Sequence, residues 1–340
     1  MPTISSGALD AVVRGILEAV GTPPDLAQIV SEGLVEANLA GHDSHGVLRL
    51  PQYIASVREG GVQPAARPSL LGRRQATARI DGARGWGQPA ARLGAATAIE
   101  LAREYGIGVV TIDRCNHIGR LGEYVDGIAR AGLVGYTMCN VGPIVAPFGG
   151  RQPRLGTNPL AWGIPRGAGQ HPVVVDFATS VVAEGKLRVA RAKGEKVAPG
   201  LIIDRHGQPS TDPADFYDGG ALLPFGAHKG YGLSVMIELV AGGLSGMAPS
   251  MAKKFMGGNG TLMLAMNIAH FVPPEDFTAQ VDEFYTSVKS TPVLDGFSEV
   301  LVPGDPEVRS RQERLAAGIP LPDHTWQSIE ALADELNVPF

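Results

Sequence analysis

The densest group of reactive side chains in this 340-residue chain is Gly41-His42-Asp43-Ser44-His45-Gly46-Val47-Leu48-Arg49-Leu50-Pro51-Gln52-Tyr53. Imidazoles, a carboxylate and a hydroxyl crowd the junction between two apolar helical runs, where a solvated loop needs no such set. With a helix beginning near Val47, Arg49 and Tyr53 stand on one face and His45 sits at its mouth. Imidazole titrates near neutrality and can pass a proton to or from a carbonyl oxygen. The Arg49 fork can grip a carboxylate through two parallel hydrogen bonds. Ser44 can hydrogen-bond either the imidazole or a substrate oxygen. The competing reading is structural: Asp43 and Ser44 cap a helix and the histidines are incidental.

A second group, Asp113-Arg114-Cys115-Asn116-His117-Ile118-Gly119-Arg120-Leu121-Gly122-Glu123-Tyr124, follows the apolar run IGVVTID and opens a helix. His117 then belongs at the carboxyl end of a strand, where ligands of α/β sheets gather, and the helix start offers N–H groups to an anion. His42, His45, Cys115 and His117 would make a zinc set. The two pairs are far apart in sequence and match no familiar metal spacing, so a metal-free site is preferred. Residues 148–151 with Leu155-Gly156-Thr157-Asn158-Pro159 form a loop before a strand. Val175-Asp176-Phe177-Ala178-Thr179-Ser180 ends a strand in an Asp and two hydroxyl caps. Gly226-Ala227-His228-Lys229 and Val302-Pro303-Gly304-Asp305 open helices. Singly each is an ordinary turn or cap. Together they offer helix starts and glycines where a dinucleotide can approach the backbone. Gly85-Trp86-Gly87-Gln88-Pro89-Ala90 is the nearest match to G-x-G-x-x-G, but it has Ala in third place and Pro inside. It reads as a tight turn rather than a fingerprint.

The elements that must hold these groups follow from periodicity. Ala8, Val12, Ile16 and Val20 mark a helix ended by Gly21, and Leu26, Ile29, Val30, Leu34 and Leu39 a second one stopping near Gly41. Leu48, Tyr53, Ile54 and Val57 mark a third, with Pro51 in its first turn or at a kink. Strands are expected at 78–81, 107–113, 133–139, 159–165, 172–177, 201–204 and 261–267. Helical runs fall at about 88–105, 121–131, 180–192 and 229–246, an alternation that argues for an α/β sheet domain. The chain returns to helices at 303–318 and 322–336. The expected division is a discontinuous helical domain from both termini, 1–74 plus 305–340, around an α/β domain, 75–304. No internal repeat or linker-like run interrupts it.

Composition narrows the partners. Hydrophobic residues at 44% and charged residues at 19% belong to a globular chain. A net charge of −5 without a basic stripe excludes the electrostatic footprint of a nucleic-acid or anionic-membrane partner. Cys115 and Cys139 cannot build a disulfide framework and read as buried thiols of a reducing compartment. The first residues lack a signal peptide's basic and apolar regions, and the apolar stretch from Gly230 to Met247 carries Glu238 in its middle. The expectation is a soluble cytoplasmic protein.

In order along the chain, HDSHGVLRLPQY (42–53), NHIGRLGEY (116–124), APFGGRQPRLGTNPLAWGIP (146–165), VVDFATSVVAEGKLRVARAKG (174–194), DPADFYDGGALLPFGAHKGYGLSVMIELVAGGLSG (212–246) and VPGDPE (302–307) resemble the type-2 malate/L-lactate dehydrogenase family. NHIGRLGEY and GAHKGYGL are most similar to its bacterial hydroxycarboxylate dehydrogenase branch. Other members act on malate, sulfolactate, ureidoglycolate and diketogulonate, or reduce the cyclic imine of piperideine carboxylate.

The resemblance implies a non-Rossmann NAD(P)-binding sheet domain joined to a helical domain, a homodimer, and hydride transfer between NAD or NADP and a small 2-oxo or 2-hydroxy acid. His45 becomes the acid/base with Ser44 beside it; His117 also faces the substrate, and family members use either histidine. Arg49 holds the substrate carboxylate, and Tyr53 and Thr157 line the pocket. The cofactor contacts fall on His45, Gly119, Arg120, Leu121, Val175, Asp176, Phe177, Ala178, Thr179, His228, Asn259, Pro303, Gly304 and Asp305. Imine-reducing members carry an Asp where this chain has Lys186, which disfavours a cyclic imine. Arg120 adds a cation suited to a second anionic group, unless it and Lys186 merely face solvent. The alternatives are a cyclic imino acid reductase, a catalytically silent NAD(P)-binding protein and, third, a metallohydrolase.

Overall fold

The computed structural model describes residues 1–339. A short strand β1 (Thr3–Ile4) leads into helices α1 (Ser6–Ala19) and α2 (Pro24–Leu39), two 3-10 turns (Asp43–His45 and Val47–Arg49) and α3 (Leu50–Arg58). Pro51 lies in the first turn of α3, where its missing N–H breaks no hydrogen bond. Next come β2 (Ser69–Arg74), β3 (Thr77–Asp81), α4 (Gly87–Tyr105), β4 (Ile107–Asp113), α5 (Gly122–Arg130), β5 (Val134–Cys139), β6 (Leu160–Ile164) and β7 (Val173–Phe177). α6 (Glu184–Lys193), β8 (Ile202–Ile203), β9 (Pro209–Ser210), α7 (Pro213–Tyr217) and β10 (Ala221–Leu222) form a small outlying unit. α8 (His228–Ile237) runs through a π-helical turn (Glu238–Gly242) into α9 (Gly243–Ser245). Then follow β11 (Thr261–Met266), α10 (Pro274–Lys289), α11 (Asp305–Ala317), β12 (Ile319–Pro320) and α12 (Asp323–Leu336).

The central sheet has the order β2-β3-β4-β11-β5-β6-β7. Only β3 and β4 pair in parallel, joined by the crossover helix α4; the other neighbours are antiparallel. These pairings make β3, β4, β5 and β7 all end on one edge of the sheet, the edge at which β6 begins. Residues alternate across strand faces, so the apolar run in β11 serves two cores at once. Met263 and Ala265 face α4 and α5, together with Ile80, Val110, Ile112, Leu101 and Ile128. Leu262 and Leu264 face the helix of α8 and its π-turn, with Met138, Leu160 and Ile237. A separate core joins the two ends of the chain: Leu9, Val13, Ile16 and Leu34 pack with Ile54, Ile319, Leu321, Ile329 and Trp86.

Several expectations need correction. The strand Ser69–Arg74, placed on sequence with the helical ends, pairs with β3 in the central sheet. Every residue of it is exposed, so it carries no alternating apolar signal. The helix expected from 180 starts at Glu184, with Ala183 at its cap position, and Thr179 and Ser180 do not cap it. The run 201–204 shortens to the two-residue strand β8 of the small sheet. α10, unforeseen, buries none of its residues. Among the described residues no helix is long and apolar enough to cross a membrane.

Candidate active site

A cavity of about 1110 Å³ opens between the 3-10 turns after α2 and the sheet edge where β3, β4, β5 and β7 end. His42, Ser44, His45 and Arg49 line it from the helical side. His117, Gly119, Arg120 and Leu121 come from the loop after β4, Cys139 from the end of β5 and Thr157 from the turn before β6. Asp176, Phe177 and Ala178 come from the end of β7, Glu184, Lys186 and Arg188 from α6, and Asn259 from the approach to β11. Strand ends facing a crevice are where open sheets place their ligands, because loops there are free to carry function.

The two histidine rings stack face to face, their centroids 5.7 Å apart and their planes 16° from parallel. Ser44 Oγ lies 3.0 Å from His45 Nδ1. Arg49 is fixed by two donated hydrogen bonds, from Nε to the Ser44 carbonyl at 2.7 Å and from Nη1 to Gln52 Oε1 at 2.9 Å. Those use two of the five N–H groups a guanidinium carries. The Glu184 carboxylate stands 3.7 Å from Arg49 Nη1. Burial, and then the Arg49 charge, lower the His45 pKa to about 3. Burial first, then Arg49 and His45, push His117 well below the usual histidine value. Both imidazoles are therefore neutral near pH 7, as proton acceptors must be.

Tyr53 does not line the cavity. It is buried behind His117, with its hydroxyl 2.7 Å from His117 Nδ1. Gln88 Nε2 donates to the same hydroxyl at 3.0 Å. The hydroxyl thus bridges the Gln88 amide and the inner nitrogen of His117, fixing the orientation of the imidazole ring. The Trp86 ring leans on Tyr53 at 5.6 Å, and its indole N–H donates to Thr22 Oγ1. Gly87 explains itself here. A Cβ at that position would lie 2.2 Å from the His117 carbonyl oxygen, so the start of α4 and the histidine loop touch backbone to backbone. At Gly85 the Ala66 carbonyl would stand 2.6 Å from a Cβ. These glycines let the chain's own loops approach backbone to backbone.

Arg120 does not face solvent. Its Nε is buried with no hydrogen-bond partner among the described residues, and the nearest carboxylate, Asp176, is 3.8 Å away. Asp176 instead accepts from the Gly122 amide at 2.7 Å, so a side chain from β7 occupies the first amide of α5. Lys186 is exposed at the cavity wall.

The structure does not gather all the expected residues. Val175, Thr179, His228 and Pro303 to Asp305 are absent from the lining. Thr179 is buried, donating to the Thr157 carbonyl from both its amide and its hydroxyl. His228 begins α8, its ring 6.2 Å from Phe148. The Pro303 carbonyl accepts from Val174, near the start of β7, whereas Phe177 at the far end of that strand reaches the cavity. Gly304 and Asp305 line a separate cavity of about 240 Å³ with Arg166, Tyr285 and Lys289. The residues considered for zinc diverge: His42 contacts Glu307 at 2.9 Å, and Cys115 is directed to its neighbour's carbonyl. Among the described residues no group of three or more candidate ligands converges on a point. Nor is Asp43 a helix cap; it accepts from Asn38 and Arg314, tying the loop to α2 and α11.

Whole-chain comparisons supply the family. A family model described as malate/L-lactate dehydrogenase matches residues 4–330, and the chain belongs to that family. It is 39% identical over 333 residues to the L-sulfolactate dehydrogenase of Methanothermobacter thermautotrophicus, covering 96% of this chain and 95% of that one. Hydroxycarboxylate dehydrogenase B of Escherichia coli K12 is 37% identical over 340 residues, covering 97% and 93%. The crystal structure of malate dehydrogenase from Entamoeba histolytica superposes with a TM-score of 0.94 at 29% identity, over 100% of this chain and 99% of that one. These relatives are named as dehydrogenases of hydroxy acids.

Proposed function

We propose that the protein is an NAD(P)-dependent dehydrogenase that interconverts a small 2-oxo acid and the matching 2-hydroxy acid. One observation carries the reading: Arg49 and two neutral imidazoles converge on a single cavity. Arg49 grips the substrate carboxylate with the donors that Ser44 and Gln52 leave over. His45 and His117 form the acid/base pair beside the reacting carbonyl. Burial depresses both imidazoles most and the Arg49 charge next; the substrate carboxylate offsets that second part and so favours their protonated forms. In the reductive direction a proton then passes to the carbonyl oxygen as the carbon gains hydride; oxidation runs the same transfers backwards.

The residues fit a nicotinamide dinucleotide. The cavity exceeds the space a three- or four-carbon acid fills, and it holds a buried guanidinium nitrogen without a partner. Arg120, Gly119, Leu121 and the Asp176-Phe177-Ala178 turn would hold NAD or NADP, which when bound supplies or takes the hydride. The sheet unit is the cofactor-binding part, of the non-Rossmann kind implied by the sequence resemblance, and the helical ends supply the substrate clamp. A homodimer is favoured by exposed Phe271, Phe284, Leu294 and Phe297 on or beside α10, apolar surface of the sort that monomers seldom leave in water. Two free buried thiols suit a cytoplasmic location.

The test is a panel of 2-oxo acids and one cyclic imino acid, each run with NADH and with NADPH and followed at the nicotinamide absorbance band. Turnover of a 2-oxo acid supports the reading. Turnover of the imine alone, or nucleotide binding without turnover of anything, overturns it.

A further inference from the structure

Glu238 sits in the π-helical turn and is only 4% exposed. Its carboxylate meets five donors. Oε1 accepts from the Gly156 amide at 3.3 Å, Asn158 Nδ2 at 2.9 Å and Ser250 Oγ at 2.8 Å. Oε2 accepts from Asn140 Nδ2 at 3.0 Å and the Ser250 amide at 2.7 Å. A carboxylate in so dry a place is stable only when its oxygens are satisfied this fully, and π-turns concentrate at functional sites. Both oxygens serve amide N–H donors, so an amide in either orientation would set its NH2 against them.

Two hydrogen-bonded paths of side chains and backbone lead from this carboxylate to the cavity. On one side, the Asn140 carbonyl accepts from Asn259 Nδ2 at 3.1 Å, and Asn259 Oδ1 accepts from the Ile118 amide, beside His117, at 3.1 Å. The Asn259 amide also donates to the Cys115 carbonyl at 2.8 Å, so one asparagine holds the histidine loop on both sides. On the other side, Asn158 Oδ1 accepts from the Val141 amide at 3.0 Å, and Thr157 stands between the two residues that donate to Glu238. Glycines wedge both asparagines in place. A Cβ at Gly156 would lie 2.4 Å from Asn158 Oδ1, and one at Gly242 would lie 2.6 Å from Asn140 Nδ2.

We propose that Glu238 is a positioning residue that sets His117 and Thr157 in the cavity, through Asn140 and Asn259 on one arm and Asn158 on the other. The inference rests on the reading of His117 and Thr157 as groups that face the substrate. Asn140→Ala breaks the step from Glu238 to Asn140 in the first arm, Asn158→Ala removes one of the two holds on Thr157 and leaves the Gly156 amide on Glu238, and Glu238→Gln strains both. Hydrogen exchange by mass spectrometry on peptides spanning 115–121 and 156–160 reads the two arms directly. In the Asn140 variant, exchange at 115–121 rises about tenfold and kcat falls about tenfold, with KM for the oxo acid nearly unchanged. In the Asn158 variant, exchange rises at 156–160 instead and KM rises about fivefold. Glu238→Gln shows both effects.

Wild-type exchange in both peptides of a folded Glu238→Gln protein overturns the proposal. So does a uniform rise over the whole chain in the two single-arm variants, which also decide the matter if Glu238→Gln does not fold. Should the wild-type protein reduce no 2-oxo acid, the substrate reading fails while the exchange measurements still judge the two arms.

Discussion

The Tyr53 hydroxyl lies 2.7 Å from His117 Nδ1, joining residues 64 positions apart and restraining the orientation of the imidazole ring. Tyr53→Phe removes that restraint and leaves the Gln88 amide, buried at this point, without its acceptor. The expected result is a kcat about tenfold lower and a stability loss of about 1–3 kcal/mol, since an unsatisfied buried donor costs that much. Steady-state kinetics, thermal unfolding and the nitrogen chemical shifts of His117 check it. Unchanged His117 shifts would mean that Tyr53 merely fills space.

The pH dependence follows from Arg49. Burial and then this guanidinium hold the His45 pKa at about 3, against an ordinary 6.5. Arg49→Met deletes a cation beside the ring, so the pKa rises, and a proton NMR titration of His45 should show its midpoint moving to higher pH. A midpoint that stays put or falls contradicts the electrostatic argument. Stability carries the same sign: a folded pKa below the unfolded one means that the unfolded chain binds more protons between those two values. His45 therefore costs the fold stability as pH falls through that window. His45→Gln should flatten that part of a plot of Tm against pH.

Gly87→Ala tests how the histidine loop is seated. The new methyl would lie 2.2 Å from the His117 carbonyl and 2.5 Å from that of Asn116. Backbone cannot yield as a flexible side chain does, so α4 or the loop must move. A destabilisation of about 1–3 kcal/mol is expected, as for other overpacked sites, with a larger proportional loss of kcat than of nucleotide affinity. Thermal unfolding and kinetics read the two effects; a fully active variant would show that the loop's position is not critical.

Much of this was legible in the sequence because it is local. The run IGVVTID is β4 residue for residue, and the sheet buries both faces of TLMLAM, which is why it reads as unbroken apolar chain. His45 and Arg49 announce themselves because a few residues of one loop bring them together. Gln88, Asp176 as the cap of α5, and the Glu238 network do not, because apart from Ser250, 12 positions from Glu238, their partners lie 35 to 98 positions away and only the fold brings them near. Ser69–Arg74 carries no strand signal because nothing in this fully exposed edge strand alternates between apolar and polar. The run 229–246, read as one helix, changes hydrogen-bonding pattern at Glu238, and no propensity marks a π-turn.

The face around α10 offers a prediction about assembly. Phe284 is 71% exposed and Phe297 68%, on a helix and loop that pack little against the rest of the chain. Light scattering should give the mass of a dimer, and Phe284→Glu combined with Phe297→Glu should give a monomer with its secondary structure intact. A wild-type monomer would show that this surface has another use.

Arg49 bears the most weight, and its substitution gives the sharpest test. Charge-assisted hydrogen bonds contribute about 1.5–3 kcal/mol, so kinetics of Arg49→Met should show KM for the 2-oxo acid raised by one to two orders of magnitude. Nicotinamide nucleotide affinity, measured by calorimetry on the same preparation, should remain close to wild type. A variant that binds and reduces the oxo acid as the wild type does would show that no substrate carboxylate meets this guanidinium.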